Sequence, residues 1–259
     1  MTDRLAYTAK KRMFAGVGLT NLAYELARNK LYYSSTAGKV HAYFLAERHY
    51  YMLMKGSLEL SQEGHGVAEW MHKTLFPEGW SPLSTYNKNV DTIANFTNRY
   101  DWDTLIAAVV ANGGIANSTL CAHMPCESSS LPLNSTNSLY AIRAGLIAKG
   151  DRSNKTVTIP PGWTDLEYYY EIAYDIPHID LVHMYAIFQK WCDQSISADY
   201  YLDFTSDNAS NITSDKSMLV AFLQRVKYGT KSKYYTVSKT NKNEDVTIEV
   251  GCVGGGCIL

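Results

Sequence analysis

The chain has 259 residues, 46% of them hydrophobic and 19% charged, with a formal net charge of −1. That length holds one or two domains with a substantial core, and the composition is that of a globular chain, not a disordered or fibrous one. The near-zero charge argues against a general nucleic-acid binder, which needs clustered Lys and Arg to neutralise phosphates.

Residues 1–12 are polar from the start, so no secretory signal is visible and a cytoplasmic, reducing setting is expected for the five cysteines. Gly16-Val17-Gly18 leads into a predicted helix over 19–30, with Leu19, Leu22, Ala23 and Leu26 on one face. A longer helix, crowded with Tyr, Phe, Leu and Met, is predicted over 38–63. Pro77, Gly79 and Pro82 break 70–98 into loop. Asp101 can cap a helix that carries Trp102, Leu105, Ile106, Val109 and Val110, and Gly113-Gly114 ends it. The apolar run 105–111 is far too short to span a bilayer, so no membrane partner is expected.

Residues 118–130 read as strand, tight turn and helix start. A strand pair is predicted over 145–149 and 155–159, then helices over 165–174 and 178–193 and an extended stretch over 195–204. An amphipathic helix over 214–228 stops at Gly229, and 231–237 reads as a last strand. From 238 the chain turns polar and then glycine-rich, which reads as a mobile tail. Interleaved strands and helices make the class α/β.

The seven His show no HExxH motif and no close cluster with Cys, so no metal site is expected. Pro125-Cys126-Glu127-Ser128-Ser129 would place free N–H groups and Ser hydroxyls at a helix start, an arrangement that suits an anion; the plainer reading is an ordinary helix cap. Tyr234-Tyr235 is either packing or a redox pair, since a phenol can give up an electron and a proton reversibly. Cys252 and Cys257 flank Val253-Gly254-Gly255-Gly256, a glycine-rich stretch that lets two thiols close a small ring with little strain. A metal clip or an idle tail are the other readings of that pair. Cys121, Cys126 and Cys192 read as structural.

Several stretches, taken in order, carry a resemblance. They are Gly16-Val17-Gly18 with Asn21 to Tyr24, Asp91 to Asn95, Tyr100-Asp101-Trp102, Asn117 to Leu120 followed by Met124 to Ser129, Asn134 to Asn137, Asp193 to Ala198, Lys231 to Tyr235, and the terminal Cys pair. The set resembles the C-terminal part of the large subunit of class I ribonucleotide reductase. The resemblance implies the second half of a ten-stranded α/β barrel over 1–237, a small α/β insertion over about 139–193, and a redox tail over 238–259. It implies reduction of ribonucleoside diphosphates, with Pro125, Cys126, Glu127, Ser128 and Ser129 holding the substrate's phosphates. Tyr234 and Tyr235 would relay a radical from the metal-containing small subunit, with no cofactor bound by this chain. Cys252 and Cys257 would reduce the active-site disulfide and be reduced in turn by a thioredoxin or glutaredoxin.

The departures are informative. The radical cysteine and the two ribose-reducing cysteines lie upstream in that family; with Met at position 1 the chain is read as one polypeptide of a split large subunit, a cloned fragment of a longer subunit being the other reading. Cys126 stands where the family has Ser, and Ser138-Leu139-Tyr140-Ala141 where it has Gly-Ile-Glu-Pro. A non-catalytic remnant with a redox-responsive tail is the alternative. Retention of Tyr234, Tyr235, Cys252 and Cys257 together weighs against it.

Overall fold

Helices dominate the computed structural model, which describes residues 3–85, 87–150, 155–205, 215–239 and 248–249. The helices are α1 (Asp3–Arg12), α2 (Leu22–Arg28), α3 (Thr36–Leu60), α4 (Pro82–Thr85), α5 (Trp102–Ala111), α6 (Glu127–Ser130), α7 (Trp163–Leu166), α8 (His178–Lys190) and α9 (Asp215–Tyr228). The strands are β1 (Ile147–Gly150), β2 (Lys155–Thr158), β3 (Tyr200–Asp203), β4 (Thr236–Lys239) and β5 (Ile248–Glu249).

Local chemistry sets the helix ends. Helix α2 starts later than its apolar pattern suggests, because Asn21 takes a left-handed φ of 74°. The Ser35 hydroxyl accepts the Gly38 N–H at 2.9 Å and starts α3. Asp101 accepts the Thr104 N–H at 3.0 Å and starts α5 as expected. The helix expected over 165–174 is only α7 and one 3-10 turn. Beyond it the Ala173 N–H bonds Ile142 O at 2.7 Å, so a long-range pairing captures the chain that local propensity would wind.

The resemblance implies half of a ten-stranded α/β barrel. The regular strands among the described residues are a β2-β1-β5 sheet, antiparallel and then parallel, and a parallel β3-β4 pair. Four extended segments nevertheless lie side by side in chain order. The Ala15 N–H bonds Thr119 O, and Val17 bridges Cys121 in parallel. Next, Gln194 and Ser197 donate to Cys121 O and His123 O, and Tyr234 donates to Ala198 O ahead of the β3-β4 pairing. Helices α3, α8 and α9 connect successive segments and pack against one another in that order. This is the repeating strand–helix logic of an α/β fold, with most of its ladder too irregular to count as strand.

The core lies between this arc and the helices. Leu181, Met184, Tyr185 and Phe188 of α8 and the adjoining Trp191 are fully buried; Leu181, Met184 and Phe188 are each worth about 1.5–3 kcal/mol of hydrophobic burial. Glu47 is fully buried too; it accepts the Arg99 N–H at 3.0 Å and the Trp102 indole N–H at 3.0 Å, tying α3 to α5. Helix α9 presents Leu219, Phe222, Leu223 and Val226 to solvent, an unusually apolar outer face. Among the described residues no helix is long and apolar enough to cross a membrane.

Within 139–193, β1 and β2 pair with each other, Trp163 and Leu166 of α7 pack with Ala23 and Ala27 of α2, and α8 belongs to the main core. Strand β4 runs two residues into the stretch read as tail. Most of that tail, including Cys252 and Cys257, lies outside the described residues.

Candidate functional site

Three pieces of chain meet at one end of the arc: the turn 124–130, the segment 197–199, and residues 234–235. The expected last strand over 231–237 is regular only from Thr236. The reason is visible in the hydrogen bonds. The Tyr235 N–H donates at 3.2 Å to Asp199 Oδ1, a side-chain oxygen, so the ladder is interrupted there. Regular alternation would send successive rings to opposite faces. With the ladder broken, the Tyr234 and Tyr235 rings sit 4.1 Å apart between centroids, tilted by 54°, and both are about half exposed.

The turn at 125–129 is a helix start, as its sequence suggests. Cys126 precedes α6 without a side-chain cap, and its N–H donates to Asn137 Oδ1 at 2.7 Å. The Ser130 N–H returns to Cys126 O at 2.9 Å. Residues 127–129 form the first turn, whose N–H groups have no intrahelical acceptor. Ser128 and Ser129 face solvent, while Pro125, Cys126 and Glu127 are half-buried. A cleft beside the turn is lined by Glu127, Asn137, Tyr140, Arg143 and residues 159–161.

Arg143 joins the two parts. Its Nη2 lies 3.4 Å from Glu127 Oε1 and 3.6 Å from Asp199 Oδ2. Tyr140 closes the group by donating to Ser197 O at 2.7 Å. Burial pushes the Asp199 carboxyl up to about 6, against the opposing pull of the Tyr235 N–H and the Arg143 guanidinium. Sequence reading missed Arg143 and Asp199. The one available signal was a charged residue immediately before the Tyr200-Tyr201-Leu202 run that opens β3, Asp199.

A second cluster corrects an expectation. His49 of α3 is brought against Cys121 and His123, with the ligand atoms of all three within 4.8 Å of one another. The residues are 72 or more apart in sequence except for the Cys121–His123 step, so only α3 packing on the arc assembles them. The Leu19 N–H donates to His123 Nδ1 at 3.1 Å, which leaves the ring proton on Nε2, 3.4 Å from Cys121 Sγ. Burial holds His123 neutral, with its pKa lowered to about 3. The Cys192 thiol lies against Cys121, which, with burial, pushes the Cys121 thiol far up. This is a satisfied core cluster whose facing His123 nitrogen carries a proton, a poor start for a metal ligand.

Comparison with known proteins bears on the whole chain. Residues 1–165 and 148–236 match the family model for the ribonucleotide reductase barrel domain. The chain belongs to the ribonucleotide reductase large-subunit family. The ribonucleoside-diphosphate reductase subunit alpha of Haemophilus influenzae is 33% identical over 249 residues, covering 95% of this chain and 32% of that protein. The ribonucleoside-diphosphate reductase 1 subunit alpha of Escherichia coli K12 is 32% identical over 256 residues, 96% of this chain and 33% of that one. The subunit alpha of Enterobacteria phage T4 is 36% identical over 204 residues, 76% of this chain and 26% of that protein. The chain spans about a third of the length of the curated reductase subunits it matches. Its ribonucleotide reductase barrel region therefore includes the tyrosine pair, whose last residue lies one position before the end of the match.

Proposed function

We propose that this chain is the C-terminal part of the large subunit of a ribonucleoside-diphosphate reductase, acting with an upstream part of the same subunit and a radical-bearing small subunit. On this reading it supplies the second half of a ten-stranded barrel, the substrate-phosphate turn, the tyrosine relay and the shuttle dithiol. The observation that carries it is the tyrosine pair. Two phenol rings in contact, half-open to solvent, and linked through Asp199 and Arg143 to the phosphate turn are what a radical path into a nucleotide site requires.

The chain's own groups have separable roles. The N–H groups of 127–129, at the positive end of α6, receive phosphate oxygens, with Arg143 placed nearby to balance their charge. Tyr235 and Tyr234 pass an electron and a proton between neighbouring rings. The small subunit, which holds the metal, originates the radical; no residue of this chain is assigned to a metal. Reduction of the ribose takes two electrons from an upstream thiol pair, which becomes a disulfide. The Cys252–Cys257 dithiol then reduces that disulfide by exchange and passes its own disulfide to a thioredoxin or glutaredoxin. The apolar outer face of α9 gives a partner chain something to cover.

The test is Tyr234→Phe and Tyr235→Phe in the enzyme assembled with both partners. Phe keeps the ring volume but cannot lose a phenolic proton, so each variant should lose turnover while thermal stability and assembly stay at the parent values. Normal turnover in either variant would remove the relay. Turnover of a diphosphate by the purified chain alone would remove the assignment itself, because the thiol that starts the ribose chemistry lies upstream in the family.

A further inference from the structure

We infer that Asp199 is a positioning residue for the tyrosine pair, and that Arg143 couples it to the occupancy of the phosphate turn. The inference rests on the functional reading above and deepens it. Asp199 is buried, yet each of its carboxylate oxygens has a different task. Oδ1 takes the Tyr235 N–H at 3.2 Å, the bond that interrupts the ladder and lets the two rings meet. Oδ2 faces Arg143 Nη2 at 3.6 Å, and the same nitrogen lies 3.4 Å from Glu127 on the turn. One guanidinium is thus shared between the carboxylate that shapes the relay and the carboxylate that opens the phosphate turn.

Sharing makes the two ends exchange. A phosphate at the N–H groups of 127–129 is a stronger acceptor for Arg143 than either carboxylate alone, so binding draws the guanidinium toward the turn. Asp199 then loses part of its counter-charge and holds a proton more readily. By linkage, protonation of Asp199 releases Arg143 and favours the phosphate. The groups facing Asp199 are Arg143, Glu127 of α6, Tyr140, Tyr185 of α8, Tyr201 of β3 and the tyrosine pair. Burial of the tyrosines pushes Tyr140, Tyr185 and Tyr201 above the ordinary phenol value. They therefore stay neutral between pH 5 and 8, and Asp199 is the group with a displaced titration in that window, near pH 6.

The experiment reads the Tyr235 amide directly. The full chain is labelled with nitrogen-15 at its 20 tyrosines, and the Tyr235 signal is identified by its loss in Tyr235→Phe. Across pH 5–7.5 the amide should move with a midpoint near 6, as its acceptor changes from carboxylate to carboxyl. Saturating pyrophosphate should raise that midpoint. Asp199→Asn should abolish both the transition and the response to pyrophosphate, and Arg143→Met should abolish the response while keeping a transition. The parent titration needs no variant to fold, so it decides the first claim by itself. A Tyr235 amide that does not titrate in the parent, or that titrates equally in Asp199→Asn, overturns the anchor. A midpoint unmoved by bound pyrophosphate overturns the coupling. Pyrophosphate that fails to bind at all would instead sink the phosphate-turn reading and the coupling with it, leaving the anchor to be judged by pH alone.

Discussion

Asp193 holds the arc to α3 through three hydrogen bonds. Its Oδ1 accepts the hydroxyl of the fully buried Tyr50 at 2.6 Å, and its Oδ2 accepts the main-chain N–H groups of Leu120 at 2.6 Å and Cys121 at 3.0 Å. One carboxylate therefore pins α3 and the segment 118–123 to the end of α8. Hydrogen bonds to a charged acceptor are worth about 1.5–3 kcal/mol each, and stranded buried donors add their own desolvation cost. Asp193 itself is half-buried, so water can rescue part of that loss. Asp193→Ala should then destabilise the chain by about 3–5 kcal/mol, within the range for breaking a buried charged network. Asp193→Asn keeps one oxygen for the two N–H groups and lets Tyr50 rotate to accept from the amide; it should cost about 1–2 kcal/mol. Urea unfolding followed by tryptophan fluorescence measures both. Combined with Tyr50→Phe in a double-mutant cycle, the pair should show a coupling of about 1–2 kcal/mol. An Asp193→Ala chain within about 0.5 kcal/mol of the parent, the range of ordinary surface substitutions, would refute the reasoning.

Other outcomes follow from the same geometry. His123 has a folded pKa of about 3, depressed first by burial, against about 6.5 unfolded, so the unfolded chain takes up its proton first as pH falls. Its contribution is present above pH 6.5 and declines below it, by about 2 kcal/mol at pH 5, and His123→Gln should flatten that slope in thermal melts at pH 5 and 7.5. Asp199 works in the opposite direction, since a carboxyl raised to about 6 binds a proton more readily folded than unfolded. Cys126→Ser should leave pyrophosphate affinity near the parent value, because the main-chain donors remain. Ser128→Pro deletes one donor and should weaken binding clearly in calorimetry; equal affinities for both variants would place the phosphates elsewhere. In the assembled enzyme, Cys252→Ser and Cys257→Ser should each stop multiple turnover with a thioredoxin as reductant and spare the first turnover. A small dithiol should partly restore the steady state, and parental rates with the protein reductant would end the shuttle reading.

Much of this protein was legible before any coordinates. Helices α3, α5, α8 and α9 announce themselves through apolar residues at helical spacing and, for α5, through Asp101 as a cap, all of which are local effects; the Ser35 cap that starts α3 two residues before the expected 38 came from the structure. The turn at 125–129 was legible for the same reason: Pro125, then Glu127 and two Ser, is a local helix-start pattern. The family, too, lay in an ordered set of short motifs. The structure alone decided what distant residues do to one another. Ala173 is drawn to Ile142, and the helix expected around it gives way. The Tyr235 N–H turns to Asp199 instead of a neighbouring carbonyl, and the strand expected from Lys231 starts only at Thr236. His49 meets Cys121 and His123 across more than 70 residues of chain. Arg143 lies between Glu127 and Asp199, 16 residues from one in sequence and 56 from the other. Local spacing encodes propensity, which acts within a few residues. Acceptors for a diverted N–H and partners for a buried charge come from the other side of the core, and only packing of α3 and α8 on the arc brings them within reach.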